Sequence, residues 1–303
     1  MNSTDVAPMW DTVVFNAGFI VIRPTPLGIQ LYLLIRQINQ RSKTLDDQQS
    51  LNRALRILKK RNSTFSMHML SRQNFLSGHA YWEGGGRLFP RDKDCNPSQK
   101  PKCPVVVHNN WIVGKNAKVY RFREHLMWLY DGTDNYYSSK TRNYLTYTNP
   151  KSPEATTARQ LEALKSAFAI GHLLNRVVIL PRFLCSRNNA RECPLNSLVR
   201  ISRLDAYFNG QYRESSFLRH RKVPDAVKRG LYDGEEALLR ANNGSDTRIT
   251  SREVLRLFRN ITARVLNVGS LLGVKIILDD KSDDEAFNLN VQRGIRRAGY
   301  RQY

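Results

Sequence analysis

Residues 158–181 read ARQLEALKSAFAIGHLLNRVVILP. Leu161, Leu164, Phe168 and Gly171 recur at helical spacing and share one face. Asn175 suits the left-handed residue that ends a helix. RVVILP is then a short buried strand, stopped by Pro181. The same order returns downstream. Thr250 and Glu253 have capping-box spacing before VLRLFRNITARVL, and the strand GVKIIL follows, ending at Asp279. Helix alternating with short apolar strand predicts an α/β fold. No internal repeat is present.

Upstream, TVVFNAGFIVIRP reads as a buried strand from Asp11, a small-residue interruption at Ala17-Gly18, and a second apolar stretch stopped by Pro24. Pro26 opens a predicted helix, LGIQLYLLIRQINQ, whose apolar positions from Leu27 to Ile38 are broad enough to predict burial. In DDQQSLNRALRILKKR, Leu51, Ala54, Leu55 and Leu58 form one stripe. Asp46 and Asp47 stand at its positive end and Lys59, Lys60 and Arg61 at its negative end, which predicts a second helix. Residues 62–104 read as irregular, a length that a domain keeps when the loop is functional or stapled. A short β run, Val105 to Val107, then delivers His108. The proline-bracketed stretch 149–153 reads as a linker, so the expected domains are 1–150 and 151–303.

The 303 residues carry 48 Lys+Arg against 26 Asp+Glu, a formal charge of +22. Such a chain attracts polyanions: nucleic acid, acidic lipid, sulfated glycan or diphosphate substrates. No helix-turn-helix, zinc-finger or RNP signature accompanies the charge, and the basic residues are spread along the chain, so nucleic acid is not an expected partner. The 41% hydrophobic content excludes disorder across the whole chain. No run of about 18 apolar residues predicts a membrane helix, and MNSTDVAPMW lacks the n- and h-regions of a signal peptide. Cys95 pairs in spacing with Cys103, and Cys185 with Cys193. Local disulfide staples, free thiols and a metal site are the three readings, with disulfides favoured by the spacing. Disulfides imply an oxidising lumen, with which sequons at Asn2, Asn62, Asn243 and Asn260 agree. The acidic cluster from Asp279 to Glu285 reads as a solvated loop in preference to a cation site.

The constellation richest in chemistry is His108, Gly114, Lys115 and Lys118. An imidazole at a strand end can ligate a divalent metal. A glycine lets backbone approach a phosphate. A lysine can neutralise a departing diphosphate. The competing reading makes His108 a core or capping residue and the lysines part of the general basic excess.

Three ordered segments carry a resemblance: FNAGFIVIRPTP (15–26), LDDQQSLNRAL (45–55) and VVVHNNWIVGKNAKVYRFREHLMW (105–128). Together they resemble the nucleotide-diphospho-sugar transferase family that includes plant and animal arabinosyl-, galactosyl- and xylosyltransferases. The resemblance covers about residues 11–150. It implies the C-terminal part of a GT-A, Rossmann-like domain followed by a second, smaller α/β domain. It implies a nucleotide-sugar donor, a glycan or glycoprotein acceptor, Mn2+ as cofactor, and a Golgi or secretory-pathway lumen. His108 matches the family's metal-site histidine. Gly114 and Lys118 match positions at the diphosphate, with Lys115 a neighbouring candidate. Asp47 and Gln48 match an Asp-Gln pair near sugar and acceptor, where they would be catalytic. Asn16 and Gly18 match an Asn-x-Gly turn lining the same cleft. Tyr136, Tyr137, Tyr144 and Tyr147 are candidates for stacking on acceptor sugars or for core packing. QLEALKSAFAIGHLLNRVVILPRFLC (160–185) resembles, more weakly, the segment that follows the transferase domain in larger members.

One departure stands against these matches. The family's Asp-x-Asp belongs at the end of an apolar strand before FNAGF, and only ten residues precede Asp11. Asp92-Lys93-Asp94 has the spacing but no apolar strand leading into it. The expectation is therefore a truncated transferase, whose membrane anchor lies outside this sequence, or a relic without the donor site. The rival function is a non-catalytic basic glycan-binding protein.

Overall fold

The computed structural model describes residues 4–11, 13–83, 104–149, 156–184, 192–193, 195–235, 247–279 and 281–295. The chain divides into two units, one ending at Ile112 and a larger one starting at Val113. The division does not fall at the expected linker, because the strand just before that linker is the middle strand of the second unit's main sheet.

In the first unit, β1 (Val6–Trp10) and β2 (Phe15–Ile22) form an antiparallel pair. The ladder slips between Pro8 and Met9: Met9 faces Asn16 while Pro8 faces Ile20. Residues 17–19 therefore bulge out of register. The expected interruption at Ala17-Gly18 is this bulge, within one continuous strand. Helix α1 (Pro26–Arg41) starts with Thr25 as N-cap and proline in its first turn. Asp5 fixes that start. It accepts from the Thr25 hydroxyl at 2.6 Å and from the Ser66 N–H at 2.8 Å. Helix α2 (Asp47–Arg61) has a full capping box, Asp46 with Gln49. Its stripe Leu51, Ala54, Leu55 and Leu58 packs with Leu31, Val6 and Phe65. Burial of α1 falls short of the expectation. Gly28 and Leu31 are its buried residues, and Ile29, Tyr32 and Leu33 are about half exposed. One layer of partners covers one stripe and leaves the broad apolar face open. Strands β3 (Phe75–Ser77) and β4 (Val106–His108) then pair in parallel, setting His108 opposite Ser77.

In the second unit, helix α3 (Lys115–Glu124) precedes the strands. β5 (Tyr144–Thr148), α4 (Thr157–Leu173) and β6 (Val177–Ile179) make a parallel crossover unit. Asn175 ends the helix at φ 49°. The hairpin β7 (Phe183–Leu184) with β8 (Glu192–Cys193) leads to α5 (Ile201–Phe208) and β9 (Tyr212–Arg213). Helix α6 (Asp225–Arg229), β10 (Leu231–Asp233), β11 (Thr247–Thr250), α7 (Ser251–Phe258), β12 (Val265–Ser270), β13 (Val274–Ile277) and α8 (Lys281–Gly294) complete it. Five strands form one parallel sheet in the order β10-β12-β5-β6-β9. The α/β class is as expected, and this parallel sheet lies in the second unit. Arg176 is buried and ties the sheet's amino end. Its guanidinium donates to the carbonyls of Tyr144, Ala263 and Ile261 at 3.2, 2.8 and 2.6 Å. Asp279 is spent on α7, accepting from the Ser251 hydroxyl and the Arg252 N–H. These bonds, the hydroxyl first, hold its carboxyl below the usual range.

Beside β9 lies a buried polar cluster. The Tyr136 hydroxyl donates to Glu214 at 2.7 Å. The guanidinium carbons of Arg123 and Arg213 lie 3.5 and 4.0 Å from the Tyr136 ring centroid. Burial raises the Glu214 carboxyl and pushes Glu124 up to about 8. Both acids bind their proton more tightly folded than unfolded. Their contribution is complete below the unfolded value and lost as pH rises through the folded one. The second unit should therefore weaken between about pH 5 and pH 8. Urea melts across that range should show a flatter pH dependence for Glu124→Gln than for wild type, and a gain for the variant at the alkaline end. An unchanged slope would contradict the assignment.

Candidate functional site

The first unit gathers polar residues around the β1–β2 turn and the end of β4. Asp11 closes the turn, its N–H donating to Val14 O at 2.9 Å. Its carboxylate is buried and accepts from three side chains. Asn16 Nδ2 and Asn110 Nδ2 reach Oδ2 at 2.9 and 2.8 Å, and Trp111 Nε1 reaches Oδ1 at 2.8 Å. Asn16 Oδ1 in turn accepts from the Gly18 N–H at 2.7 Å, which shapes the bulge. Asn110 Oδ1 accepts from Gly78 N–H at 2.6 Å, binding the segment after β3 to the segment after β4. Trp111 holds φ 57°, a left-handed conformation unusual for a bulky residue. Such a residue costs on the order of 1–3 kcal/mol. A hydrogen bond to a charged group returns about 1.5–3 kcal/mol, enough to hold it. The Trp111 ring lies 5.2 Å from the His79 ring.

His108 is seated on Gly18. A Cβ at Gly18 would fall well inside contact with Cε1 and Nε2 of the imidazole. The bulge and the strand end, some ninety positions apart in the chain, thus meet at the two residues expected to share a cleft.

The other expected residues are distributed differently. Asp47 is exposed in the first turn of α2, where its carboxylate accepts from Gln48 N–H at 2.8 Å. Gln48 lines a groove of about 750 Å³ along α2. Asn52 joins this groove to the turn: its Oδ1 accepts from Phe15 N–H, and its Nδ2 donates to the carbonyls of Phe15 and Gln48. Gly114, Lys115 and Lys118 belong to the second unit. Gly114 caps α3 at φ 95°, a conformation that favours glycine, and both lysines are exposed. Tyr136, Tyr137, Tyr144 and Tyr147 are core residues of the second unit and are not open to stacking by a sugar. Asp92-Lys93-Asp94 and both expected disulfide loops lie wholly or partly outside the described residues.

Residues 2–122 match the nucleotide-diphospho-sugar transferase family. The match takes in the first two motifs and the third as far as residue 122, within α3, and so includes Gly114, Lys115 and Lys118. No curated protein and no solved structure gives a match. The family points to a transferase that uses a nucleotide-diphosphate sugar.

The resemblance implied a divalent metal with His108 as one ligand. Among the described residues no group of three His, Cys, Asp or Glu side chains is arranged to hold a metal ion. The nearby Asp11 carboxylate is engaged by three donors. The described residues therefore do not fit a protein-held metal.

Sequence reasoning missed Asp11, which it took only as the start of a strand. An acid followed five residues later by Asn-x-Gly was the available signal. Gly18 has an ordinary backbone, so the obstacle to a side chain there is steric. Gly18→Ala should cost about 1–3 kcal/mol of stability in the wild-type background. Most of that cost should vanish in the His108→Ala background, because the clashing ring is gone. Denaturant melts of the two single variants and the double variant measure the coupling; additive costs would contradict the seating.

Proposed function

We propose that this chain forms part of a glycosyltransferase that moves a sugar from a nucleotide-diphosphate donor to a glycan or glycoprotein acceptor. The observation that carries the reading is the seating of His108 on Gly18 beside Asn16, within the segment matched by the family. The three are positions that the resemblance assigns to the cleft. A carboxylate-organised turn holds them, so they meet a ligand already ordered, and preorganised polar groups stabilise developing charge better than mobile ones.

Asp47 and Gln48 take the role of positioning the acceptor and the reacting sugar. They stand on the capped first turn of α2, a rigid support. Gly114, Lys115 and Lys118 take the diphosphate. An exposed helix start with two cations suits a departing anion. The Mn2+ of the family enters only with ligands that the described residues do not supply. The proposed compartment is the Golgi or another secretory lumen, on the family resemblance and the spacing of the cysteines.

The test uses the full chain with UDP-galactose, UDP-arabinose and UDP-xylose, reading UDP release with and without glycan acceptors. At least one donor should be turned over, and His108→Ala and Asp47→Asn should each lower the rate by roughly tenfold or more. Turnover by either variant at the wild-type rate would remove that residue from the site. Absence of turnover together with salt-sensitive glycan binding would replace the transferase reading with a binding one.

A further inference from the structure

The groove along α2 carries a charge signature that the transferase reading does not require. Its polar wall is Gln48, Gln49, Arg53 and Arg56 together with the Asp46 carboxylate, which accepts from the Gln49 N–H, and Val14 and Ile57 add apolar surface. Arg53 and Arg56 are exposed, and neither forms an ion pair among the described residues. Among the described residues, the Arg56 guanidinium makes one hydrogen bond, from Nε to Asn52 O at 3.2 Å. The Gln48 side-chain amide has no partner among the described residues, whereas Gln49 is held by the capping box. Asn52 beneath them is fixed by three hydrogen bonds and shapes the wall without offering itself to a ligand.

These groups select a chemistry. Two guanidinium groups one helical turn apart complement carboxylates or sulfates presented along an extended chain. A free amide suits hydroxyl pairs, which both donate and accept. Val14 and Ile57 suit the C–H faces of a sugar ring. No aromatic ring lines the groove. It therefore lacks the stacking platform on which single-stranded nucleic acid is held.

We propose that this groove is the acceptor subsite and that it takes an acidic glycan, a uronate-bearing chain whose carboxylates lie against Arg53 and Arg56. The word acceptor rests on the transferase reading; the anion site rests on the groove alone. The groove runs to the β1–β2 turn, where Val14 lines it and accepts from Asp11. A glycan bound along α2 thus ends beside the residues that hold Asn16 and Gly18.

The experiment measures binding of an oligogalacturonate and of a neutral oligogalactoside of equal length to the full chain by calorimetry. Wild type should bind the acidic oligomer at least about tenfold more tightly, and added salt should narrow the gap. Arg53→Gln with Arg56→Gln should bring the acidic oligomer down to the neutral level. Lys59→Gln with Lys60→Gln removes the same charge from the same helix outside the groove and should leave most of the preference. Melting curves check that both double variants stay folded. Equal losses in the two double variants would reduce the effect to general charge and overturn the proposal. So would equal binding of both oligomers by wild type, or tighter binding of a polyglutamate peptide than of the uronate chain. UDP titration of the same samples separates the two readings. Arg53- and Arg56-dependent uronate binding without UDP binding leaves the acidic-glycan site standing and removes the transferase. UDP binding without uronate preference removes this inference alone.

Discussion

The first unit depends on one buried carboxylate. Asp11 accepts from Asn16, Asn110 and Trp111, and these three come from two segments about a hundred positions apart. An isolated buried carboxylate is costly, and one without donors would protonate. Three donors satisfy it and, in the same act, join the β1–β2 turn to the end of β4. The bulge that carries Gly18, the left-handed turn at Trp111 and the seating of His108 all follow from that joint. Apolar packing of α2 on α1 holds the unit together, but it does not set the angle at which these polar groups meet.

The second unit uses buried charge differently. Arg176 gathers carbonyls at the amino end of the parallel sheet. Arg123 and Arg213 flank Tyr136, whose hydroxyl bonds to Glu214. Here cations meet carbonyls, an aromatic face and acids whose carboxyls burial shifts upward. Chain order and spatial order diverge in this sheet: β6 and β9 lie on one side of β5, and β12 and β10 on the other. The family match ends at residue 122, before any strand of this sheet begins.

Local signals were legible in the sequence where one residue pair suffices to create the structure. Thr250 with Glu253 caps its helix, Asp46 and Asp47 mark the start of α2, and Asn175 turns out of α4. Short-range chemistry of that kind is written in adjacent residues. The β1 strand was not legible, because Pro8 sits inside VAPMW and strand propensity argues against it. It exists because β2 pairs with it along one edge. The boundary at Ile112 was also hidden: Pro and Ser at 149–153 resemble a linker, yet β5 just before them is claimed by pairing with β6 and β12. Asn16, Gly18 and His108 were singled out through the resemblance and lie together in the fold, whereas Asp11 was not singled out. Its role is created by donors distant in the chain. The tyrosines were ambiguous, since an aromatic ring serves a core and a sugar platform equally well until its burial is known.

The proposed transferase requires the Asp11-centred joint to lie where a nucleotide-bearing ligand binds. Amide hydrogen exchange of the full chain, with and without UDP, tests it most directly. Peptides covering residues 11–18 and 106–112 should exchange more slowly when UDP is bound. Calorimetric binding of UDP with exchange unchanged in both of those segments would contradict it.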